Sequence, residues 1–264
     1  MKRLYKMARV SILMNCFNGA EYVEQALSSI FNQTFKDFEV VFVDNNSTDK
    51  SAEIAKSFGV KVKIYKTPYK MTLCEGRVFA RQFISGDFFC VLDVDDLWLP
   101  DKLKQQIDLM DAHPEVGLVY SNTVYFTDQG SEVLAYDQLM PSGRIFSELL
   151  SNYFISLETV MVRQSVMKKH NLYFSKNYNV SSDMEFFVKL SYYTDFLYCD
   201  RPLAKWRHGH ANESSHQFKS FPREYRQLIL DLKEMIVDFE DKYRTSIRSL
   251  NGVIENMEGM SPLE

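Results

Sequence analysis

The sequence lacks the features that mark secreted, disulfide-stabilised and membrane-spanning proteins. Its four cysteines are scattered with no Cys-x-x-Cys pair, so the pattern predicts neither a zinc site nor a disulfide framework. The apolar run at residues 10–14 follows a short basic segment and is too brief for a signal-peptide core or a membrane span. These absences predict a cytoplasmic protein with reduced, buried cysteines.

An excess of positive charge is also absent. The 31 lysine and arginine residues are outnumbered by 35 acidic residues, which gives a net charge of -4. A nucleic-acid-binding protein needs a basic face large enough to neutralise several phosphates, so we predict no nucleic-acid partner. The hydrophobic fraction of 45% and the charged fraction of 25% are instead typical of a globular protein with a sizeable core.

What the sequence does contain is an alternation of strand and helix patterns. Short apolar runs bounded by polar turns indicate buried strands, and residues at helical spacing separate them. The alternation predicts an α/β fold: a doubly wound, mostly parallel sheet with helices on both faces and right-handed crossovers. The predicted strands are residues 10–14, 38–43, 60–65, 88–92 and 116–122, and the predicted helices are 21–31, 51–58, 73–85 and 102–110.

Residues 219–264 are predicted to form a C-terminal amphipathic helical extension. Apolar residues from Leu228 to Phe239 recur at helical spacing, with acidic residues such as Asp231 and Glu234 between them. An acidic polar face disfavours a helix that lies on a membrane surface. We therefore predict one long helix that packs on the body of the protein or on a second copy of the chain, which would form a homodimer.

Polar residues follow three of the predicted strands. Ligands of doubly wound sheets bind at the carboxyl ends of the strands, so the loops at residues 15–19 and 44–49 should face one crevice. Asp93, Asp95 and Asp96 follow another strand, where carboxylates are costly unless they are neutralised. Mn²⁺ or Mg²⁺ prefers such oxygen ligands, completed by substrate phosphates and water. The competing interpretation is that these aspartates cap the next helix or lie solvated in a turn.

Ordered motifs occur in the first half of the chain: VSILMNCFNGAEY at residues 10–22, NQTFKDFE at 32–39 and VDNNSTD at 43–49. In this order they resemble the opening strand and loop, the linking segment and the Asp-Asp-Gly-Ser-Thr-Asp turn of the family 2 inverting glycosyltransferases, which have the GT-A fold. FCVLDVDD at 89–96 continues the match, which spans most of residues 8–214.

The resemblance implies a metal-dependent inverting glycosyltransferase that moves a sugar from a nucleoside-diphosphate sugar, with a UDP-sugar favoured, to a hydroxyl acceptor. The acceptor would be a saccharide or a lipid-linked saccharide, in the synthesis of a bacterial surface polysaccharide or lipid-linked glycan. Association with the inner face of the membrane would be peripheral. Residues 1–124 would form the nucleotide-sugar-binding half and residues 125–218 the acceptor-binding half of one domain, with an irregular segment at 125–144 as a candidate lid.

The resemblance also assigns roles to residues of the crevice. Asp44 would contact the base, Asp93 the ribose side of the nucleotide, and Asp95 the metal on the diphosphate. Arg77 would lie beside the nucleotide, where an arginine forms charge-assisted bonds to phosphate or stacks on a base. An ordinary surface arginine is the alternative. The other implied nucleotide-binding residues are Asn15, Phe17, Asn18, Glu21, Asn46 and Val94.

Two later segments complete the predicted site. SSDMEFFVKL at residues 181–190 resembles the family's Glu-Asp segment, whose aspartate is the catalytic base, so Asp183 is the predicted base. A helix N-cap is the structural alternative for Asp183, and the two roles are compatible. KWRHGH at residues 205–210 resembles a late segment that reaches over the diphosphate. It makes His208, or else His210, a weaker candidate for a metal or phosphate ligand.

Some positions depart from the family pattern. Asn45 and Asn46 replace the usual Asp-Gly, Val78 replaces an asparagine, and Ser182 stands where the family usually has glutamate. These departures leave a plausible nucleotide pocket, and they bear most on the fine positioning of Asp183.

Other classes of protein remain as alternatives. A catalytically inactive module that binds a sugar nucleotide or a partner would need Asp44 and Asp95, whereas Asp183→Ala would leave its properties unchanged. A nucleotidyltransferase could use the same metal geometry, but no glycine-rich, basic phosphate loop follows the first strand. A dehydrogenase is less compatible, since that strand is not followed by Gly-x-Gly-x-x-Gly. The motifs do not specify the donor sugar, the acceptor or the linkage.

Overall fold

The computed structural model of the chain describes residues 8–209 and 219–259. The strands are β1 (Val10–Cys16), β2 (Phe38–Asp44), β3 (Val62–Lys66), β4 (Phe88–Val91), β5 (Leu97–Trp98), β6 (Val116–Phe126), β7 (Glu132–Leu134), β8 (Met161–Arg163) and β9 (Asp195–Arg207). The helices are α1 (Val23–Phe31), α2 (Ser51–Ser57), α3 (Leu73–Ala80), α4 (Lys102–Ala112), α5 (Phe146–Ser151), α6 (Gln164–Lys169), α7 (Ser182–Ser191), α8 (Phe221–Met235), α9 (Phe239–Lys242) and α10 (Arg244–Gly259). Short 3-10 turns lie at Arg81–Phe83 and Leu157–Thr159.

The strands form one sheet in the order β3-β2-β1-β4-β8-β6-β9-β5, and β7 pairs with β6 off this path. Its N-terminal half is parallel, and β1 lies buried between β2 and β4. The pairing places Cys16 opposite Asp44 and Leu13 opposite Val91, so these strands end at the same edge of the sheet. Strands covered on both faces are continuous apolar runs, which is why the sequence predicts them well.

Helices cover both faces of the sheet. Ile12 and Met14 of β1 lie in one core with residues of α1, α2 and α4, whereas Leu13 lies in the other with residues of α3, α5, α7, α8 and α10. This division follows from the alternation of side chains along a strand. The predicted doubly wound, mostly parallel architecture with helices on both faces is therefore confirmed.

The second half of the sheet is mixed, and β5, β7, β8 and β9 are not among the strands predicted from the sequence. β8 runs antiparallel to β4 and β6, and β6 runs parallel to the long strand β9. The register of β9 against β6 shifts between Ser121 and Asn122, which leaves Asp200 and Arg201 outside the ladder. This bulge interrupts the period-two pattern by which strands are recognised.

The irregular segment predicted at residues 125–144 begins later than expected. Tyr125 and Phe126 continue β6, and β7 pairs with this end of the strand. Beyond β7, the remaining residues up to α5 contain no further strand or helix. The role of this segment as an acceptor loop or lid stays a prediction.

Within residues 219–259 the C-terminal extension consists of three helices, so the prediction of one long helix is wrong. α8 ends at Met235, Ile236 is extended, and Asp238 has a left-handed backbone with φ of 58°. Apolar residues of α8 and α10 are buried in the same core as α7. The extension therefore packs on the body of the protein. Because its apolar residues are buried there, they are not a reason to expect a homodimer, and the homodimer stays a prediction. None of the described helices combines the length and apolarity that a bilayer span requires.

Candidate active site

A cleft of about 730 Å³ opens at the carboxyl ends of β1 and β4. Its walls come from the loops after these strands, from α3, from the ends of β6 and β9, from the 3-10 turn before β8 and from the start of α7. The residues predicted for the site that line the cleft are Asn15, Phe17, Asn18, Glu21, Arg77, Asp93, Val94, Asp95 and Asp183.

Three predicted site residues are not among the described residues that line this cleft. Asp44 ends β2 and is buried, and its Oδ1 accepts a hydrogen bond of 2.9 Å from the Ser47 backbone nitrogen. Asn46 lies in the same turn, and His208 is exposed after β9. His210 lies outside the described residues. The proposed contacts of these residues with nucleotide or metal stay predictions.

The loop after β1 and the turn after β2 are tied together. Asn18 has a left-handed backbone, with φ of 51°, and its Oδ1 accepts a bond of 2.8 Å from the Thr48 nitrogen. The Asn18 nitrogen donates to the Ser47 hydroxyl at 3.1 Å. Gly19 lies so close to Val94 that a Cβ on this glycine would come within 2.9 Å of the valine Cγ2. The two loops and the segment after β4 therefore meet, as a parallel sheet predicts.

The two asparagines that replace the family's Asp-Gly have identifiable structural roles. Asn46 has φ of 61°, a conformation that glycine takes freely and asparagine tolerates. Asn45 donates from Nδ2 to the Met71 carbonyl at 2.9 Å, and its Oδ1 accepts from the Met71 nitrogen at 2.8 Å. An ionised aspartate could not supply the donor. Asn45 therefore fixes the loop that leads into α3.

Arg77 joins the segment after β4 to the helix of the predicted base. Its side chain is buried, with Nη2 donating to both carboxylate oxygens of Asp93 at 3.0 and 2.8 Å and Nη1 donating to the Ser182 hydroxyl at 3.2 Å. Gly76 allows α3 to pack closely against the Asn15 side chain, because a Cβ on residue 76 would lie 2.6 Å from Nδ2 of Asn15. The interpretation of Arg77 as a surface arginine is therefore wrong. Ser182, which replaces a glutamate, accepts one of its bonds.

Asp183 lies in the first turn of α7, in the lining of the cleft. Its Oδ2 accepts a hydrogen bond of 2.7 Å from the Tyr153 hydroxyl. Burial raises the pKa of the Asp183 carboxyl above its ordinary value, while Tyr153 and Arg77 favour the ionised form. The N-cap of α7 is Ser181, so the N-cap interpretation of Asp183 is wrong.

Arg207, at the end of β9, holds the acidic segment after β4 in place. Its backbone nitrogen donates to Oδ1 of Asp96 at 2.9 Å, and its Nε donates to the Asp95 carbonyl at 2.8 Å. Its Nη groups contact Asp128 and Gln25. The late segment therefore positions the aspartates from a distant part of the chain, a role that the sequence interpretation missed.

Glu158, in the 3-10 turn before β8, is a second residue that the sequence interpretation missed. It lines the cleft, is only 3% exposed, and its Oε1 has no hydrogen-bond partner among the described residues. Burial, with Asp93 as a further cause, raises the pKa of Glu158 to about 7, although Thr123 and Lys102 favour the ionised form. The one sequence signal that could have identified Glu158 is its position as a glutamate in a mostly apolar stretch.

The residues around Asp95, the predicted metal ligand, can be compared with what a metal ion needs. In residues 8–209 and 219–259, no three His, Cys, Asp or Glu side chains are grouped to hold a metal ion. Arg77 engages Asp93, and the Arg207 nitrogen engages Asp96. Mg²⁺ or Mn²⁺ needs only one or two carboxylates when phosphates and water complete its coordination. The partly buried Asp95 in the cleft fits a site of that kind.

Comparison with known proteins identifies the family. Residues 11–171 match the profile of glycosyl transferase family 2, which covers more than half of the chain. An uncharacterised glycosyltransferase of Methanocaldococcus jannaschii is 30% identical over 189 residues, and the match covers 68% of this chain but only 63% of that protein. The Escherichia coli protein WfgD, a UDP-Glc:alpha-D-GlcNAc-diphosphoundecaprenol beta-1,3-glucosyltransferase, is 23% identical over 221 residues, with coverage of 82% and 83%.

Solved structures share the architecture. Residues 1–349 of S. aureus TarS in complex with UDP align with a TM-score of 0.70 at 19% identity, over 96% of this chain and 72% of that chain. The Pyrobaculum calidifontis mannosyltransferase PcManGT, in complex with GDP-Man and Mn²⁺, aligns with a TM-score of 0.66 at 14% identity, over 97% and 76%. The sequence match and the fold agree, and the chain belongs to glycosyl transferase family 2 as a glycosyltransferase with the GT-A fold.

Proposed function

We propose that the chain transfers a sugar from a UDP-sugar to a hydroxyl group of a saccharide or lipid-linked saccharide, with inversion at the anomeric carbon and with Mn²⁺ or Mg²⁺ as cofactor. The observation that carries this proposal is that one cleft holds two carboxylates in different settings. Asp95 lies in the acidic segment after β4, and Asp183 is bonded to Tyr153. The setting of Asp95 suits binding of a cation that also contacts a diphosphate, and the setting of Asp183 suits a proton acceptor.

Asp183 is the proposed base. An acceptor hydroxyl is a poor nucleophile, so its proton must be removed while the anomeric carbon of the donor develops oxocarbenium character. The raised pKa of Asp183 makes it a stronger proton acceptor than an ordinary aspartate, and the bond from Tyr153 fixes its orientation. Attack on the face opposite the diphosphate inverts the anomeric configuration. A product with retained configuration would contradict this mechanism.

The acidic segment after β4 is the proposed diphosphate site. A cation bound by Asp95 would neutralise the charge that develops on the diphosphate as its bond to the sugar breaks. The chain itself keeps this segment in position, because Arg207 bonds to the Asp95 carbonyl and Arg77 pairs with Asp93. Pairing of Asp93 with Arg77 also limits the negative charge that a bound diphosphate would meet.

The comparisons support the choice of donor, metal and acceptor. TarS is also known in complex with UDP-GlcNAc, and PcManGT is known with GDP-Man and Mn²⁺. WfgD is named for a UDP-glucose donor and a diphosphoundecaprenol-linked acceptor. A lipid-linked acceptor of this type would place the protein in surface polysaccharide or lipid-linked glycan synthesis, as a peripheral protein at the inner face of the membrane.

The test is a calorimetric titration of UDP and GDP, with Mn²⁺ or with EDTA, on the wild type and on Asp95→Asn. We expect UDP to bind with Mn²⁺ and to lose about tenfold in affinity in the variant or in EDTA. Asp108→Asn is the matched control, because Asp108 is exposed on α4 and pairs only with Lys104 in the described chain. If GDP binds more tightly than UDP, the proposed donor would be a GDP-sugar instead of a UDP-sugar. Failure of both nucleotides to bind with metal would overturn the proposal.

A further inference from the structure

Glu158 lies in a turn that is fixed from behind. Nε1 of Trp98 donates to the Glu158 carbonyl at 2.8 Å, and the side chains of Gln106 and Lys102 donate to the next two carbonyls at 2.6 and 3.1 Å. All three donor side chains are buried. The turn therefore cannot carry the Glu158 carboxylate out to solvent without breaking these bonds.

The Glu158 carboxylate is incompletely satisfied where it is held. Its Oε1 is buried with no partner among the described residues, whereas buried polar atoms are nearly always hydrogen-bonded. Lys102 does not fill this role, since its Nζ donates to Gln106 at 2.7 Å and to a backbone carbonyl. A rigidly held, unpartnered carboxylate oxygen in a cleft is costly for the fold alone and indicates a bound ligand that completes it.

The surroundings define the chemistry of that ligand. Tyr125, Tyr136, Tyr153 and Trp206 line the same cleft, and the rings of Tyr125 and Trp206 meet edge to face with centroids 5.3 Å apart. Aromatic rings pack against the C–H faces of a sugar, and a carboxylate accepts hydrogen bonds from its hydroxyl groups. A carboxylate also repels phosphate, so this part of the cleft suits the sugar of a sugar nucleotide rather than its diphosphate.

Electrostatic interactions relate Glu158 to the acidic segment after β4. Glu158 contributes to the raised pKa of Asp96, and Asp93 contributes to the raised pKa of Glu158, so it lies within reach of the proposed diphosphate segment. Burial raises the pKa of the Tyr153 hydroxyl, and the charges of Asp183 and Glu158 raise it further. Glu158 therefore lines the same cleft as the proposed diphosphate segment and the proposed base.

We infer that Glu158 is a specificity residue for the donor, and that its Oε1 accepts a hydrogen bond from a ring hydroxyl of the sugar being transferred. The inference rests on the proposed function. It assigns to the sugar a contact that neither the nucleotide nor the metal makes, so its effect must appear as a difference between UDP and a UDP-sugar.

The test compares UDP with UDP-glucose and UDP-GlcNAc, each titrated with Mn²⁺ on the wild type, Glu158→Gln, Glu158→Ala and the control Glu53→Gln. Glu53 is exposed on α2, is not among the residues that line the cleft, and undergoes the same chemical change. We expect UDP affinity to agree within about twofold in all four proteins, while the better of the two sugar nucleotides loses about tenfold in both Glu158 variants.

A second measurement needs no nucleotide. Because Oε1 of the buried Glu158 carboxylate has no partner among the described residues, we expect Glu158→Gln to leave the apo protein as stable as the wild type or more stable in thermal unfolding. A lower melting temperature for Glu158→Gln, or equal loss of UDP and UDP-sugar affinity, would overturn the inference and assign Glu158 a structural role. Unchanged sugar-nucleotide affinity would also overturn it. Absence of any UDP binding in the wild type would instead overturn the proposed function.

Discussion

Glu224, on α8, caps the N-terminus of α7 by accepting hydrogen bonds from both the backbone nitrogen and the hydroxyl of Ser181, at 2.9 and 2.7 Å. A further bond of 3.0 Å comes from the Asn179 nitrogen. The residues of α7 supply no side-chain cap of their own at this end, and Asp183 lies in the first turn. The C-terminal extension therefore fixes the element that carries the proposed base.

Glu224→Gln is expected to lower the stability of the protein by about 1 kcal/mol, as loss of a helix cap does, and to lower kcat by about tenfold. UDP affinity should stay within about twofold of the wild type, because Glu224 is remote from the nucleotide segment. Glu234→Gln is the control, since Glu234 is exposed on the same helix. The measurements are urea unfolding and initial rates of UDP release. A matched loss of kcat in both variants would contradict a positioning role.

Asp183→Asn is expected to reduce transfer at least about a hundredfold, because the amide cannot accept the acceptor's proton. Binding of the UDP-sugar, measured by calorimetry, should be preserved, since the proposed role of Asp183 is confined to the acceptor hydroxyl. Parallel loss of donor binding would show that Asp183 holds the donor instead. Full transfer activity in the variant would exclude Asp183 as the base.

Tyr153→Phe is expected to shift the pH profile of kcat. The Tyr153 hydroxyl favours the ionised form of Asp183, so its removal raises the pKa of that carboxyl further. The base must be deprotonated, and the acidic limb of the profile should therefore move to higher pH. Tyr193→Phe is the control, because the Tyr193 ring stacks on His170 and does not line the cleft. A profile that falls in height without moving would indicate a packing role for Tyr153.

Arg77→Lys is expected to destabilise the protein by about 2 kcal/mol, because lysine keeps the charge but cannot make the forked contacts to Asp93 and Ser182. Arg226→Lys provides a matched comparison at the surface. Arg226 bonds to both carboxylate oxygens of Glu258 but is half exposed, so its replacement should cost less than about 0.5 kcal/mol. Urea unfolding of the two variants measures the difference, and equal losses would contradict the importance of burial.

Glu158→Gln is expected to gain stability relative to the wild type as the pH rises. The folded protein holds the Glu158 proton more tightly than the unfolded chain, because burial raises its pKa from 4.5 to about 7, with Asp93, Asp96 and Lys102 as the facing charges. The wild type therefore loses stability between these pH values, and the variant does not. The margin should grow to roughly 3 kcal/mol by pH 8 in urea unfolding, at about 1.4 kcal/mol for each unit of pKa. A margin that is constant from pH 5 to pH 8 would contradict the raised pKa.

The sequence was informative where the structure depends on local pattern. β1, β2 and β4 are buried on both faces, so their apolar runs identify them, and the topology of a parallel sheet then gathers Asn15, Asp93 and Asp95 at one edge. A contiguous motif predicts Asp183 as a site residue, and Asp183 does line the cleft, whereas its role as base stays a prediction. The helix break at Asp238 could not be predicted from the sequence. The helical spacing of apolar residues continues through Asp238, although its backbone is left-handed.

The supporting residues were beyond sequence reasoning for a different reason. Arg207 bonds to Asp95 across 112 residues, and Arg77 bonds to Ser182 across 105. Such pairs depend on which elements become neighbours in the fold. The spacing of residues along the sequence does not indicate which elements these are. Glu158 was missed because its importance lies in the absence of a partner for Oε1 among the described residues, which only the packed structure reveals.

The cap from Glu224 also bears on how small a working fragment of this enzyme can be. The family profile ends at residue 171, yet Asp183, Arg207 and Glu224 all follow it. A fragment cut at that boundary would retain β1 to β4 and lose the proposed base, the arginine that holds the Asp95 carbonyl and the cap of α7. A chimera that takes α7 from a relative would therefore need to take α8 with it, because Glu224 of α8 holds the start of α7.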